Sequence, residues 1–262
     1  VQLCSAQLLE EFDALCRDND IQYWLMFGTL LGAVRHEGFI PWDDDVDLGV
    51  LRTDLDKLFD VVSTDDRFVI TEAYDPYALC RQIRFKYSDA AVPFFLDLFV
   101  FDASDVEVGE AACVRGRVRS ELVTGLKTDG GLSTWRSRGV VNADDADAKG
   151  VAAMFGAALG RSEREGIISG VSVSGPSSIV YAIDNLDDGT TKRLTCEPHE
   201  VFPLVDVEFE GRRYPAPGNY AKMLEGCYGD IYTIPADIMT HYKHVDESEL
   251  DEAASAYSVW NN

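Results

Sequence analysis

"GTLLGAVRHEGFIPWDDDVDLGV", residues Gly28 to Val50, places Asp43, Asp44, Asp45 and Asp47 between an apolar "FIPW" and an apolar "VDLGV". Like charges this close repel, and an apolar setting sharpens the repulsion. A strand gives them an order, because alternate side chains project to opposite faces. Asp45 and Asp47 then share one face, joined by Asp43 if the strand begins that early. Val46, Leu48 and Val50 fall on the other face and pack on the core, and Asp44 points away from the trio. Carboxylates side by side at the end of a strand attract a hard divalent cation such as magnesium, which relieves their repulsion. Two other readings compete. An EF-hand loop needs Gly at its sixth position and a bidentate Glu at its twelfth; counted from Asp43, these are Leu48 and Asp54. A solvated acidic turn is the usual fate of an acidic run, but the apolar flanks disfavour exposure.

Outward from this stretch, the chain alternates helices and strands. Leu8, Leu9, Phe12, Leu15 and Cys16 recur at helical spacing, and "YWLMF" (Tyr23 to Phe27) reads as a buried strand. Gly28 turns the chain into a short helix that Gly38 ends. After the "VDLGVL" strand, "RTDLDKLFDVVS" predicts a helix with Thr53 or Asp54 as N-cap. Three strands follow, "RFVITEAY", "LCRQIRFKYS" and "FFLDLFVFD". Helices are expected at about 109–127 and 144–160, then a strand at "IVYAID". A hairpin at "VEFEGRRYPAP", with Gly211 near its turn, leads to a short helix in "GNYAKMLEGCYG". The acidic tail from Asp246 reads as a solvated helix or a frayed end. The order predicts an α+β fold, a mixed sheet flanked by helices, and not a doubly wound one. One domain is expected over 1–262, with a core at about 1–103 and 178–245 and an insert-like helical region at about 104–177.

The 262 residues carry a formal net charge of -23. That field repels nucleic acid and anionic membrane, so a phosphate-bearing substrate needs metal or a local basic patch. No apolar run is long enough for a membrane span. The first twenty residues lack a basic region followed by an apolar block, so no secretory leader is expected. Six scattered cysteines with no C-x-x-C spacing argue against zinc and against a disulfide framework. They predict reduced thiols and a cytoplasmic location.

Asp97 stands alone in the apolar "FFLDLFVFD". Burial there costs several kcal/mol unless the carboxylate is paired or metal-bound. It is either a core Asp satisfied by backbone donors or an Arg, or a third metal ligand. Asp102 reads as a strand-terminating cap. Local cations are few. Arg35 and His36 precede the acids; Arg84 and Lys86 share a strand face; Arg81 lies on the opposite face and is expected at the surface. Such cations beside a metal site suit phosphate or diphosphate. Gly28 and Thr29 offer backbone N–H groups and a hydroxyl to a phosphate at a strand-to-helix turn. Lys243 and His244, in "HYKHV", are further candidates to reach it, with His241 beside them.

Together these residues resemble the signature of the LicD family, which includes the fukutin-related proteins and reads roughly G-[TS]-L-L-G-A-x-R-H-x-G-x-I-P-W-D-D-D-[IV]-D. "LLEEFDALCRDNDIQYWL" is similar to the family's opening helix and strand. "QIRFKYS...FLDLFVFD" is similar to its K-I-R...T...D-I-F-P-x-D segment. "EVFPLVDVEFEGRRYPAPGNYAKMLEGCYGDIY" is similar to its C-terminal block. Residues about 104–190 resemble it least. Gln82 stands where the family has Lys, and Tyr87 and Ser88 where it often has Thr. The zinc-binding cysteines of the fukutin-related proteins have no counterpart here.

The resemblance implies a nucleotidyltransferase-type fold. Gly28 and Thr29 then form the turn, Asp45 and Asp47 the metal-binding pair, Asp97 the third carboxylate, and Asp43 a further ligand, direct or through water. It implies magnesium (or manganese) and transfer of a phosphocholine-type or phospho-polyol-type substituent from a CDP-linked donor. The acceptor would be a hydroxyl of a cell-surface glycan, a lipid-linked glycan or a precursor, and the place the cytoplasm or the inner face of the membrane. Asp97 would orient or deprotonate that hydroxyl, while Arg35, His36, Arg84 and Lys86 hold phosphate charge. Two alternatives stand beside it: nucleotidyl transfer from an NTP to a small molecule, and a non-catalytic nucleotide- or metal-binding module.

Overall fold

The structure is a computed structural model that describes residues 1–128, 140–169, 175–187 and 194–233. Helix α1 (Gln2–Asp18) buries the stripe Leu8, Leu9, Phe12, Leu15 and Cys16, as the helical spacing requires. Strand β1 (Tyr23–Leu25) leads into α2 (Phe27–His36), then β2 (Asp47–Leu51) and α3 (Arg52–Val62). Strands β3 (Phe68–Asp75), β4 (Cys80–Tyr87) and β5 (Phe95–Ser104) follow. Helix α4 (Val108–Thr128), strand β6 (Val141–Asn142), a 3-10 turn (Ala146–Ala148) and α5 (Lys149–Arg164) come next. The described part ends with β7 (Ser178–Tyr181), α6 (Pro198–Val201), the hairpin β8 (Val205–Phe209) and β9 (Arg212–Ala216), and α7 (Tyr220–Tyr228).

Helix α2 opens at Phe27, one residue before the expected Gly28 turn, and α5 spans Lys149–Arg164 where about 144–160 was expected; two helix ends are also built differently. Glu37, not Gly38, closes α2: it adopts the left-handed conformation (φ 55°), its N–H caps the Ala33 carbonyl, and the Gly38 N–H caps that of Gly32. Helix α3 begins at Arg52, so Thr53 and Asp54 lie inside its first turn and neither is the N-cap. Asp54 is instead buried and pairs with Lys57 at 2.6 Å. The acidic tail from Asp246 lies outside the described residues.

The fold is α+β. One sheet runs β1-β2-β5-β4-β3-β6, with β7 added on β5. Its pairs are antiparallel except β2 with β5, which are parallel. That contact needs a crossover, made by α3 and the β3–β4 hairpin. Its register sets Asp47 beside Asp97, and the β4–β5 register sets Asp97 beside Arg84. Three charged side chains from three adjacent strands therefore stand in a row. The opposite face of β2 presents buried Leu48 and Val50 to a core that includes Phe12 of α1 and Phe85 of β4. Helices α4 and α5 close a second apolar cluster that takes in Tyr74 of β3 and Val180 of β7.

Gly49 of β2 is required by its neighbour. A Cβ there would overlap the indole of Trp24, which is fully buried against Phe101 and Phe202. Gly49→Ala is expected to cost about 1–3 kcal/mol through overpacking, read as a lower midpoint in urea with an unchanged slope.

Asp102 is not a strand cap. It is 3 % exposed and pairs with Arg52 (Oδ1 to Nε, 2.6 Å). Arg52 also reaches Asp184 at 3.1 Å, and Arg81 reaches Asp184 at 3.1 Å and Glu72 as well. Arg81 is therefore half-buried and part of a chain of alternating charge around the buried Asp102 and Asp184. Periodicity hid this, because Asp184 comes from the segment after β7, far away in sequence. None of the six cysteines is bridged. Among the described residues no helix is long and apolar enough to cross a membrane.

Candidate active site

The carboxylates of Asp45, Asp47 and Asp97 each place an oxygen within 4.8 Å of the other two. Asp47 opens β2 and Asp97 sits on β5, while Asp45 lies on the irregular segment before β2. The strand does not begin early enough to carry Asp43 or Asp45. Asp43 stands one step behind the trio, buried, with its carboxyl hydrogen-bonded to Asp45.

The turn at Met26–Thr29 fixes this geometry. The Met26 N–H donates to the Asp47 carbonyl at 2.9 Å, and the Asp47 N–H donates to the Thr29 hydroxyl at 2.9 Å. Thr29 is buried, so its hydroxyl orders the protein's own backbone; the sequence reading had aimed it at a phosphate. The Gly28 N–H donates to the Asp47 carboxylate. A Cβ on Gly28 would lie 2.6 Å from Asp43 Oδ2, which explains a glycine beside the acids. The reading of Asp97 as a carboxylate satisfied by an Arg is observed. Arg84 Nε donates to its Oδ1 at 2.8 Å, and the same carboxylate belongs to the acidic trio. The Arg84 guanidinium also lies 3.8 Å over the Phe95 ring, which fixes its plane.

Burial, then the charges of Asp45, Asp97 and Asp43, hold the Asp47 carboxyl well above the ordinary carboxylate range, against the Gly28 N–H. Burial and the neighbouring Asp45 and Asp44 push Asp43 up to about 8. Three hard oxygen donors, mutually repelling and partly desolvated, are a donor set that fits magnesium or manganese. A pH dependence follows. A carboxyl whose folded pKa exceeds its unfolded value stabilises the fold at low pH, and that stability is lost as pH rises through the folded pKa. The metal-free protein is therefore expected to melt several degrees lower at pH 9 than at pH 6. Asp43→Asn should flatten this profile, as differential scanning calorimetry would show.

A cavity of about 590 Å³ opens over the trio. Arg81 and Arg84 bring cations to it, and Phe27, Phe99, Tyr181 and Tyr228 bring aromatic surface. A second cavity, about 330 Å³, backs onto Asp43, Asp45, Asp47 and Tyr228 and is lined by Gly28, Arg35 and Trp42. Arg35 thus lines a cavity that the acids share, separate from Arg84. His36 is exposed and lines neither cavity; nor does Lys86, although it shares Arg84's strand face. Lys243, His244 and His241 lie outside the described residues. The sequence reading missed Phe27 and Tyr228. Phe27 has a positive φ of 41°, a strained turn that "MFG" did not betray. Tyr228 ends α7 inside the quoted C-terminal block, where its place in "CYGD" was the available signal.

Fold and site together define an α+β protein whose cavity is floored by three carboxylates suited to a divalent cation. Residues 20–121 match the family model described as "LicD/FKTN/FKRP, nucleotidyltransferase domain". The chain is 26% identical over 269 residues to the lipopolysaccharide cholinephosphotransferase LicD of Haemophilus influenzae, covering 95% of this chain and 96% of that protein. It is 39% identical over 77 residues to an uncharacterized protein of Rickettsia prowazekii, 29% of each chain. It is 57% identical over 35 residues to the human ribitol 5-phosphate transferase FKRP, 13% of this chain and 7% of that protein. Residues 20–121 are thus similar to the LicD family, the family that the sequence resembles.

Proposed function

We propose that this protein transfers a phospho-substituent, of phosphocholine or phospho-polyol type, from a CDP-linked donor to a hydroxyl of a cell-surface glycan or its precursor. Magnesium or manganese would be held by Asp45, Asp47 and Asp97. The observation that carries the reading is the convergence of those carboxylates within 4.8 Å on the floor of a cavity that Arg81 and Arg84 also line. The names of the relatives, a cholinephosphotransferase and a ribitol 5-phosphate transferase, support the same class of reaction.

A bound divalent ion supplies positive charge that neutralises a diphosphate and eases departure of the nucleotide. The remaining work falls to the chain. Arg84 holds the Asp97 carboxylate in place and presents guanidinium charge to a phosphate. Asp97 orients the acceptor hydroxyl and takes its proton as the oxygen–phosphorus bond forms and CMP leaves. Phe27, Phe99 and Tyr181 form an apolar wall that keeps water from competing. A cytoplasmic location, at or near the inner membrane face, belongs to the same proposal and agrees with unbridged thiols.

CDP-choline, CDP-ribitol and CDP-glycerol, each with magnesium or manganese and a glycan extract, should reveal one donor that yields CMP in step with labelled glycan. Pyrophosphate release from an NTP would assign nucleotidyl transfer instead. Binding without turnover for every donor would assign a binding module.

A further inference from the structure

A groove of about 790 Å³ runs along one face of α4 and is walled opposite by the β3–β4 turn and the segment after β7. Among the described residues lining it, Arg115, Arg119 and Lys127 are cations and Asp187 is the one carboxylate. This excess is local, in a chain whose formal charge is -23. The two arginines are four residues apart on α4 and so share a helix face. They are buried, at 3 % and 5 % exposed. Arg115 donates from Nε to the Tyr181 carbonyl at 2.6 Å and from Nη1 to Asp187 at 2.8 Å, but its buried Nη2 has no hydrogen-bond partner among the described residues. Arg119 donates from Nη1 to the Ile183 carbonyl at 2.9 Å. Buried guanidinium groups facing fewer carboxylates than charges are costly unless an anion joins them. The groove also meets the carboxylate cavity, for Ala78 and Leu186 line both.

We infer that this groove binds an anionic group, a phosphate or a carboxylate, carried by the sugar acceptor, and so holds the acceptor across the shared Ala78–Leu186 edge with its hydroxyl toward Asp97. The acceptor part of this inference rests on the proposed transfer; the anion site does not. Lys127, exposed at the outer end, draws the anion in, and Arg115 and Arg119 hold it.

The test uses the whole chain in metal-free buffer, where the carboxylate cavity repels anions. Glucose 1-phosphate and glucuronate are compared with neutral glucose by thermal shift and calorimetric titration. One anion should bind saturably and more weakly as salt rises, while glucose gives no shift; which anion binds better separates the phosphosugar from the uronate. Arg119→Gln should weaken binding at least about tenfold. Lys127→Glu, at an exposed position where folding is not at stake, should weaken it severalfold. No saturable binding of either anion to the wild type would overturn the site. So would binding that Lys127→Glu leaves unchanged. Because this measurement needs neither donor nor metal, a failure to find CMP release leaves it standing, and the reverse also holds.

Discussion

Asp47→Asn is expected to reduce transfer by at least about 10³-fold while raising the melting temperature of the metal-free protein. Catalysis falls because two neighbouring carboxylates remain where three converged, and charge stabilisation at a reacting phosphate is worth several kcal/mol. Stability rises because Asp47 is buried beside Asp45, Asp97 and Asp43, all of which disfavour its charge. Replacing it with a neutral isostere removes repulsion worth on the order of 1 kcal/mol, while the Gly28 N–H keeps an acceptor in the amide oxygen. Magnesium should reverse the ranking. Wild type gains stability by mass action as the ion binds the folded state, and the variant gains much less. Thermal melts of both proteins with and without magnesium would check this. A variant that loses stability without metal would show that the acids are ordinary core groups.

The stretch Gly28 to Val50 made the site legible because two periodicities overlap there. Apolar Val46, Leu48 and Val50 repeat every second residue and are buried, so the intervening acids had to face elsewhere. Asp97 was legible for the opposite reason, as a lone charge in an apolar strand. Pairing was not legible. The parallel register that sets Asp47 beside Asp97 depends on a crossover of two elements, and nothing local to either strand encodes it. Thr29 was assigned to a ligand because a hydroxyl at a strand-to-helix turn suits a phosphate, yet the nearer donor was the N–H of Asp47. Arg81, Arg52, Asp102 and Asp184 were misread or unnoticed because each looks ordinary in its own segment. Their roles appear only when α3, β4, β5 and the segment after β7 meet.

That meeting point predicts the second large effect: Asp184→Ala should destabilise the fold by about 3–5 kcal/mol. Asp184 is 1 % exposed and is the shared partner of Arg52 and Arg81. Without it, Arg52 keeps Asp102 and Arg81 keeps Glu72, but a buried segment holds two guanidinium groups with one anion fewer. The pH profile identifies the cause. The nearby Arg52 and Arg81 hold the Asp184 carboxyl below its ordinary value, overcoming burial. Its contribution is therefore present above the unfolded carboxylate range and is lost as pH falls through the folded pKa. The gap between wild type and variant should be widest near neutrality and close toward acid. Asp102 behaves with the opposite sign. Burial outweighs Arg52 and pushes it up to about 6, so its ionisation costs stability as pH rises from about 4 to 6. Asp102→Asn should thus cost less at pH 7 than Asp184→Ala, although each removes a carboxylate that Arg52 contacts. Urea denaturation at pH 4, 5.5 and 7 would measure both gaps. Equal costs for the two variants at every pH would mean that Arg52 draws nothing distinctive from Asp184, and that the chain of charge linking α3 to the cavity wall is held by packing alone.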